Sequence, residues 1–86
     1  LMRFIAREFK VSERMMQFST GEKVYVEFII EKNGDVRQAK IVRGSDELVG
    51  EEAIRVVQSL PDFTPAILNG KPVRMSYILP INVKLH

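Results

Sequence analysis

The side chains of this sequence that could carry out chemistry are few and poorly placed for it. His86 is the only histidine, and its position at the end of the chain makes it a poor general base or metal ligand. Four acids cluster at Asp46, Glu47, Glu51 and Glu52, but a polar connection and the first turn of a helix favour acids in any case. The chain has no cysteine, no phosphate-binding glycine loop and no nucleophile motif. The sequence therefore predicts no cofactor, no metal site and no enzymatic activity.

Size and charge narrow the class of protein further. The chain has 86 residues, which is enough for one domain with a modest core, and we expect that domain to span residues 1–86. Its 13 basic and 11 acidic residues leave a net charge of only +2, and the basic residues are scattered along the chain. Apolar runs are short, so no stretch of this sequence predicts a membrane span.

The first 20 residues have the spacing of a helical segment. Apolar residues recur every four positions, at Leu1, Ile5 and Phe9. This spacing predicts a first helix. Ser12 is a suitable N-cap for a second short helical turn over residues 13–18.

Two strands joined by a tight turn are predicted next. Between residues 22 and 31 every second residue is apolar, namely Val24, Val26, Phe28 and Ile30. Such a period of two predicts a strand with one buried face. Asn33 and Gly34 both accept positive φ, which is typical of a hairpin turn. In the returning strand, residues 35–43, the apolar spacing indicates a bulge near Arg37 and Gln38.

A helix and a turn follow the hairpin. Gly50 is the predicted N-cap of this helix, and Pro61 ends it. Its buried stripe consists of Val49, Ala53, Val57 and Leu60. Residues 62–71 contain a second Asn-Gly pair, Asn69-Gly70, which predicts a structured loop or a tight hairpin.

The final segment, residues 72–85, is the longest stretch of strict alternation. Its odd positions are all apolar or aromatic: Val73, Met75, Tyr77, Leu79, Ile81, Val83 and Leu85. The even positions are mostly polar. The sequence therefore predicts one long strand whose odd-numbered face is core.

These elements predict an α+β fold with a three-stranded sheet of spatial order 2-1-3 and two helices packed on one face. A right-handed connection through the helix places the third strand beside the first, parallel to the second. The third strand is then an edge, which agrees with Pro80, because proline has no N–H to offer a central strand. We expect one cluster between sheet and helices, formed by Phe28, Ile30, Val57, Leu60, Tyr77 and Leu79.

Several runs of the sequence resemble the TonB C-terminal domain family, in the order that is typical of it. They lie between Gly21 and Leu85 and comprise Val24–Phe28, Asn33–Val36, Glu52–Val57, Leu60–Ala66, Asn69–Val73 and Leu79–Val83. Phe63 stands where the family often has tryptophan, and Gly50 where an aspartate commonly caps the helix. The amino-terminal helices resemble the Bacteroidetes-type variant, although Val11-Ser12 replaces its usual Tyr-Pro. Residues 21–85 would then be a ββαβ core.

The resemblance implies a function. Such domains lie in the periplasm at the end of a protein tethered to the inner membrane, whose proton-driven motor complex acts through an upstream region. They engage an extended segment of an outer-membrane transporter. A homodimer is a further partner state that the sequence leaves open. The physical mode would be strand addition at an open sheet edge. A structural or regulatory module fused to a larger receptor or peptidase is the alternative that the sequence leaves open.

The prolines predict where a partner strand would bind. Pro80 has no N–H, so its backbone and those of alternate residues should point outward, away from the first strand. The partner-binding residues would then be Arg74, Met75, Ser76, Tyr77 and Ile78. Arg74 is placed to meet an acidic side chain of the partner. The basic residues Arg37, Lys40 and Arg43 of the second strand are expected to protect the opposite edge from pairing, in preference to forming a ligand patch. Nucleic acid is not expected, because the outer sheet face, with Tyr25 and Ile29, offers only Tyr25 for base stacking.

We expect the melting temperature to be insensitive to divalent metals and nucleotides beyond general salt effects, because the sequence contains no site for them. Thermal unfolding with zinc, calcium, magnesium and ATP checks this. A saturable increase of several degrees with any of these ligands would contradict it.

Overall fold

The computed structural model describes residues 1–19, 21–61 and 63–85. The elements in these ranges are α1 (Met2–Glu8), α2 (Glu13–Phe18), β1 (Lys23–Ile30), β2 (Val36–Arg43), α3 (Glu47–Gln58), β3 (Ala66–Leu68), β4 (Lys71–Val73) and β5 (Met75–Asn82). Predictions that involve Thr20, Asp62 and His86 lie outside the described residues. No helix within the described ranges is both long enough and apolar enough to span a membrane.

The main sheet has β1 at its centre. Its strand order is β2-β1-β5, and both neighbours run antiparallel to β1, so β5 runs parallel to β2. Every second side chain of β1 is buried, and the buried ones are the predicted Val24, Val26, Phe28 and Ile30. This arrangement confirms the predicted α+β class and the predicted order 2-1-3.

Strand β2 departs from regular pairing at two places. The partners of Glu27 and Ile29 are Lys40 and Arg37, so β2 carries one extra residue there, and Gln38 has a positive φ of 57°. This confirms the bulge predicted near Arg37 and Gln38. A second irregularity lies at Val42, between the partners of Tyr25 and Val26, and the sequence did not predict it.

The two Asn-Gly pairs form different turns. Asn69 and Gly70 both have positive φ, 52° and 77°, and join β3 to β4 in a two-residue hairpin. At Asn33-Gly34 only the glycine has a positive φ, 92°, and its N–H donates to the carbonyl of Glu31. A Cβ at Gly34 would collide with the carbonyl of Phe63, so the close approach of that loop requires glycine here. Both hairpins form as predicted, but the first turn is centred one residue earlier.

Helix α3 begins earlier than predicted. Asp46 is its N-cap, and the Asp46 carboxylate accepts hydrogen bonds from the N–H of Val49 at 3.1 Å and from the hydroxyl of Ser19 at 3.0 Å. The prediction that Gly50 caps the helix is therefore wrong. Gly50 is buried within the helix, where an added Cβ would lie 3.3 Å from Cγ1 of Ile41. Its small size permits close packing of α3 on β2.

The amino-terminal segment contains two short helices at the two places where the sequence predicted helical structure. The described residues therefore form three helices, one more than the two that the predicted architecture packs on the sheet. Helix α3 packs on β1 and β2, while α1 and α2 pack on α3. Ile5 of α1 and Met15 of α2 are both buried in the common core. Ser12 caps α2 through a hydrogen bond from the N–H of Met15, as predicted.

An ion pair on α3 holds the connection between α1 and α2. The Glu52 carboxylate accepts hydrogen bonds from the Arg55 guanidinium and from the N–H of Lys10, each at 2.7 Å. Arg55 also donates to the carbonyl of Glu8 at 2.8 Å. The hydrogen bond from Arg55 holds the pKa of Glu52 below its usual value, and the Lys10 N–H acts in the same direction against the effect of burial.

The prediction of one long strand over residues 72–85 is wrong, because this segment is divided between β4 and β5 and β5 ends at Asn82. Pro72 and Val73 belong to β4 and pair with β3, so the chain changes partner at Arg74 before β5 begins. The odd-numbered face is buried only from its middle onward, at Leu79, Ile81, Val83 and Leu85. Met75 and Tyr77 are 39% and 41% exposed, because they lie towards the end of the sheet where β1 finishes at Ile30.

The core cluster contains five of the six residues predicted for it: Phe28, Ile30, Val57, Leu60 and Leu79. Tyr77 instead lies at the rim, with its ring centroid 5.6 Å from that of Phe28. The Phe63 ring stacks at 6.3 Å from Phe28. Phe28 therefore has no exposed surface and connects the core to this aromatic rim.

Replacing Phe28 by alanine should reduce the free energy of unfolding by about 3–5 kcal/mol, because it removes a fully buried aromatic side chain and leaves a cavity. Urea denaturation measures the loss. Phe18→Ala is the matched control, since Phe18 is 73% exposed and its removal should change stability by only about 0.5 kcal/mol. Equal effects of the two substitutions would contradict the assigned register of β1.

Glu52→Gln should lower stability by about 1 kcal/mol at neutral pH, because it replaces charge-assisted hydrogen bonds with weaker ones. The folded-state pKa of Glu52 lies below the ordinary value of 4.5, so the carboxylate stabilises the fold above that value. This contribution is lost as the pH falls through the lower folded-state pKa, and the variant and the original chain should then converge. Urea denaturation at several pH values tests this, with Glu51→Gln, the exposed neighbour, as control. A difference that persists in strong acid would contradict a role for the charge.

Candidate functional site

The candidate site is the outer edge of β5. Strand β1 pairs with one side of β5 over its whole length, from Lys23 opposite Asn82 to Ile30 opposite Met75, with no break in register. Within the part of the chain that the structure describes, no strand pairs with the other side. An edge of this kind presents backbone donors and acceptors to an incoming chain.

The direction of the backbone groups follows from one hydrogen bond beyond the end of β5. The N–H of Val83 donates to the carbonyl of Glu22 at 3.1 Å, and this pair continues the register of the two strands. Because bonded pairs alternate in an antiparallel ladder, the bonded residues of β5 are Met75, Tyr77, Leu79 and Ile81. The backbone groups of Ser76, Ile78, Pro80 and Asn82 therefore point away from β1. Proline lies at a position where its missing donor breaks no bond to β1.

The hydrogen bonding of β1 to β2 gives the same parity independently. The N–H of Glu31, just after β1, donates to the carbonyl of Asp35 at 2.8 Å. Odd-numbered residues of β1 thus face β2, which leaves the even-numbered ones to face β5. The hydrogen bonds on both sides of β1 therefore indicate that the backbone groups of Ser76 and Ile78 point away from β1.

The five residues predicted as the site occupy two different settings. Met75, Ser76, Tyr77 and Ile78 form the first half of β5, whereas Arg74 lies in the break before the strand. The Arg74 Nε donates to the Glu31 carboxylate at 2.6 Å, so this guanidinium already has an acidic partner within the chain. Its side chain is nevertheless half exposed. Contact between Arg74 and an acidic partner residue stays a prediction.

An apolar cleft lies beside the exposed half of β5, on the side of the sheet that carries the helices. Its volume is about 210 Å³. We call it the Tyr77 cleft, and its lining consists of Leu1, Phe28, Ile30, Phe63, Thr64, Ala66, Met75 and Tyr77. The sequence pattern did not indicate that Leu1 and Phe63 are neighbours of Met75 and Tyr77, because neither is close to them along the chain.

The opposite edge and the open sheet face are occupied by ion pairs and cation–π contacts. Arg37 pairs with Asp35 at 3.1 Å. Lys40 pairs with Glu27 at 3.4 Å. The Arg43 guanidinium carbon lies 5.6 Å from the centre of the Tyr25 ring, and Lys23 Nζ lies 6.0 Å from it. Together with the bulge at Gln38, these contacts favour edge protection over a ligand patch on β2.

Two of the four clustered acidic residues noted in the sequence have structural partners. Asp46 caps α3, and Glu52 accepts from Arg55 and Lys10. Within the described ranges, no group of three or more His, Cys, Asp or Glu side chains is arranged to hold a metal ion. The chemistry that the described site offers is therefore backbone hydrogen bonding beside an apolar cleft.

Comparison with known proteins gives the family of the chain. The family model described as Gram-negative bacterial TonB protein C-terminal matches residues 16–85. The fold is similar to the NMR solution structure of the TonB C-terminal domain of Helicobacter pylori, with a TM-score of 0.71 and 17% sequence identity. That similarity covers 96% of this chain and 87% of the other. No match to a curated protein was found. Because the family model covers most of the chain, the chain belongs to the family of Gram-negative bacterial TonB protein C-terminal domains.

Proposed function

We propose that the domain binds an extended segment of an outer-membrane transporter by adding it as a further strand at the outer edge of β5. Family membership provides the general setting, since TonB-type domains are periplasmic, non-catalytic and interact with outer-membrane transporters. The observation that carries the proposal is the unbroken register of β5, which directs the backbone groups of Ser76 and Ile78 outward. Strand addition uses such groups for affinity and alternate side chains for selectivity.

The exposed half of β5 supports this position for the partner strand. Ser76 and Ile78 each offer a donor and an acceptor, whereas Pro80 offers only an acceptor. Met75, Tyr77 and Ile78 are exposed apolar side chains beside these groups. A partner strand over residues 75–78 would thus gain hydrogen bonds and bury apolar surface together.

The whole chain is proposed to act as one domain in this role, with no catalytic function. The burial of Ile5 and Met15 in the common core and the hydrogen bonds of Glu52 and Arg55 join α1 and α2 to the core. Force from a proton-driven motor of the inner membrane would reach the domain through a preceding tether. A homodimer through the same edge would compete with the transporter segment.

Ser76→Pro should weaken binding of a transporter segment about fivefold to tenfold, because it removes one outward N–H at an edge position that tolerates proline. The measurement is titration with a synthetic peptide from the periplasmic segment of a transporter, followed by amide chemical shifts. Shifts should concentrate on residues 75–82. Ser76→Ala is the matched control, since it loses the hydroxyl but retains the N–H, and it should bind like the original chain.

Two outcomes would contradict the proposal. One is unchanged affinity of Ser76→Pro with shifts concentrated on residues 37–43, which would place the partner at β2. The other is a concentration-dependent dimer that the peptide does not dissociate, measured by analytical ultracentrifugation, because the edge would then belong to a second copy.

A further inference from the structure

Helix α1 lies beside the end of β5, the strand that the proposed function uses. A groove of about 220 Å³ separates them, and we call it the α1 groove. Ile5 and Val11 line it on the helix side, together with Met2, Ala6 and Phe9, which recur at the spacing of one helix face. Its strand wall consists of Ile81 and Val83. Met2 and Ala6 are exposed, and Phe9 is only partly buried, so this apolar helix face lacks a full cover.

The groove reaches the outer edge of the strand. Asn82 and Lys84 also line it, although their side chains alternate with those of Ile81 and Val83 and lie on the other face. The parity of the β5 ladder directs the backbone groups of Asn82 outward. A chain bonded to that edge would therefore lie next to the groove, and half of its side chains would face α1.

The Tyr77 cleft lies at the other end of β5, on the helix-bearing face, where residues of both β1 and β5 line it. Leu1 lines this cleft and Met2 lines the groove, so the beginning of α1 links the two. The cleft is mostly apolar, and its volume of about 210 Å³ exceeds the roughly 150 Å³ in which an apolar cavity holds benzene. It is therefore large enough for a leucine or phenylalanine side chain.

The separation of the two clefts defines the spacing of side chains that fits both. Tyr77 and Ile81 are four residues apart on one face of the strand, which is about 13 Å at 3.3 Å per residue. An added strand has the same rise and the same alternation, whichever direction it runs. Its side chains at two positions four residues apart would thus enter the cleft and the groove together.

The charges around the groove favour an acidic partner. Arg3, Arg7 and Lys10 are exposed at or just after α1, and Lys84 is exposed on the strand side. Of the nearby acids, Glu52 accepts a hydrogen bond from Arg55 through its carboxylate. Glu8 contacts Arg55 through its backbone carbonyl and keeps the charge of its carboxylate, which is one negative charge against four positive ones. The rim of the groove is therefore positive, which attracts an acidic chain.

We propose that α1 is the second wall of the docking site, and that the site selects an acidic extended segment with apolar side chains four residues apart. This inference rests on the proposed function and adds to it the chemistry of the partner. The backbone edge of β5 supplies hydrogen bonds that any sequence can make, whereas the two clefts discriminate among sequences.

The four methionines allow a direct test by methyl NMR. Met2 lines the α1 groove and Met75 lines the Tyr77 cleft, while Met15 is buried and Met16 lies exposed on α2. The probe is the capped peptide Glu-Thr-Leu-Thr-Ser-Thr-Leu-Thr-Glu, whose leucines are four residues apart. Titration into the ¹³C-methyl-methionine protein should shift Met2 and Met75 and leave Met15 and Met16 unchanged. Shifts of Met75 without Met2 would overturn the role of α1.

A peptide isomer tests the spacing. Glu-Thr-Leu-Thr-Ser-Leu-Thr-Thr-Glu has the same composition, but its leucines are three residues apart and fall on opposite faces of a strand. It should bind about fivefold more weakly, because only one leucine can enter a cleft. Equal affinity of the two isomers would overturn the predicted selectivity.

A pair of matched variants separates this inference from the proposed function. Met2→Gln should weaken binding of the first peptide about fivefold, and Met16→Gln should not, although the two methionines are similarly exposed at 53% and 44%. If Ser76→Pro abolishes binding but Met2→Gln does not affect it, the proposed role of α1 is wrong, whereas the proposed strand addition at β5 is supported. Tighter binding by Met2→Gln would show that α1 obstructs the edge. If neither these peptides nor a transporter segment binds the original chain, both proposals fail.

Discussion

Strand β1 is hydrogen-bonded along both of its edges, because its odd-numbered backbone groups face β2 and its even-numbered ones face β5. Its even-numbered side chains are also buried beneath α3, with Phe28 wholly enclosed. Four of its eight side chains are buried, more than in either neighbouring strand. The places of β2, α3 and β5 all follow from it, since each covers one side or one face of β1.

The two outer strands differ in how they present their free edges. Strand β2 is interrupted by the bulge at Gln38 and the irregularity at Val42, and its cations are engaged in ion pairs or against Tyr25. Strand β5 keeps one register from Met75 to Asn82. Bulges and charges disfavour pairing, whereas a straight edge favours it. Within the described residues the sheet thus has one edge interrupted by bulges and ion pairs and one edge, that of β5, with an unbroken register.

The sequence by itself determined the elements whose signals are local. The alternation from Val24 to Ile30 defined β1 and its buried face, and the turn residues placed both hairpins. The change of spacing after Val36 located the bulge. Pro80 correctly indicated an edge strand and the outward parity of its backbone. Each of these follows from the geometry of a few neighbouring residues, so no knowledge of distant contacts is needed.

Only the tertiary structure decided what covers each side chain. Alternation assigned Met75 and Tyr77 to the inner face of the sheet. The buried part of that face begins only at Leu79, so Met75 and Tyr77 line a cleft instead. Asp46 caps α3 in company with Ser19, whereas Gly50, the predicted cap, is buried against Ile41. A periodic pattern specifies the direction of a side chain and not its neighbours, because neighbours come from segments far away in the chain.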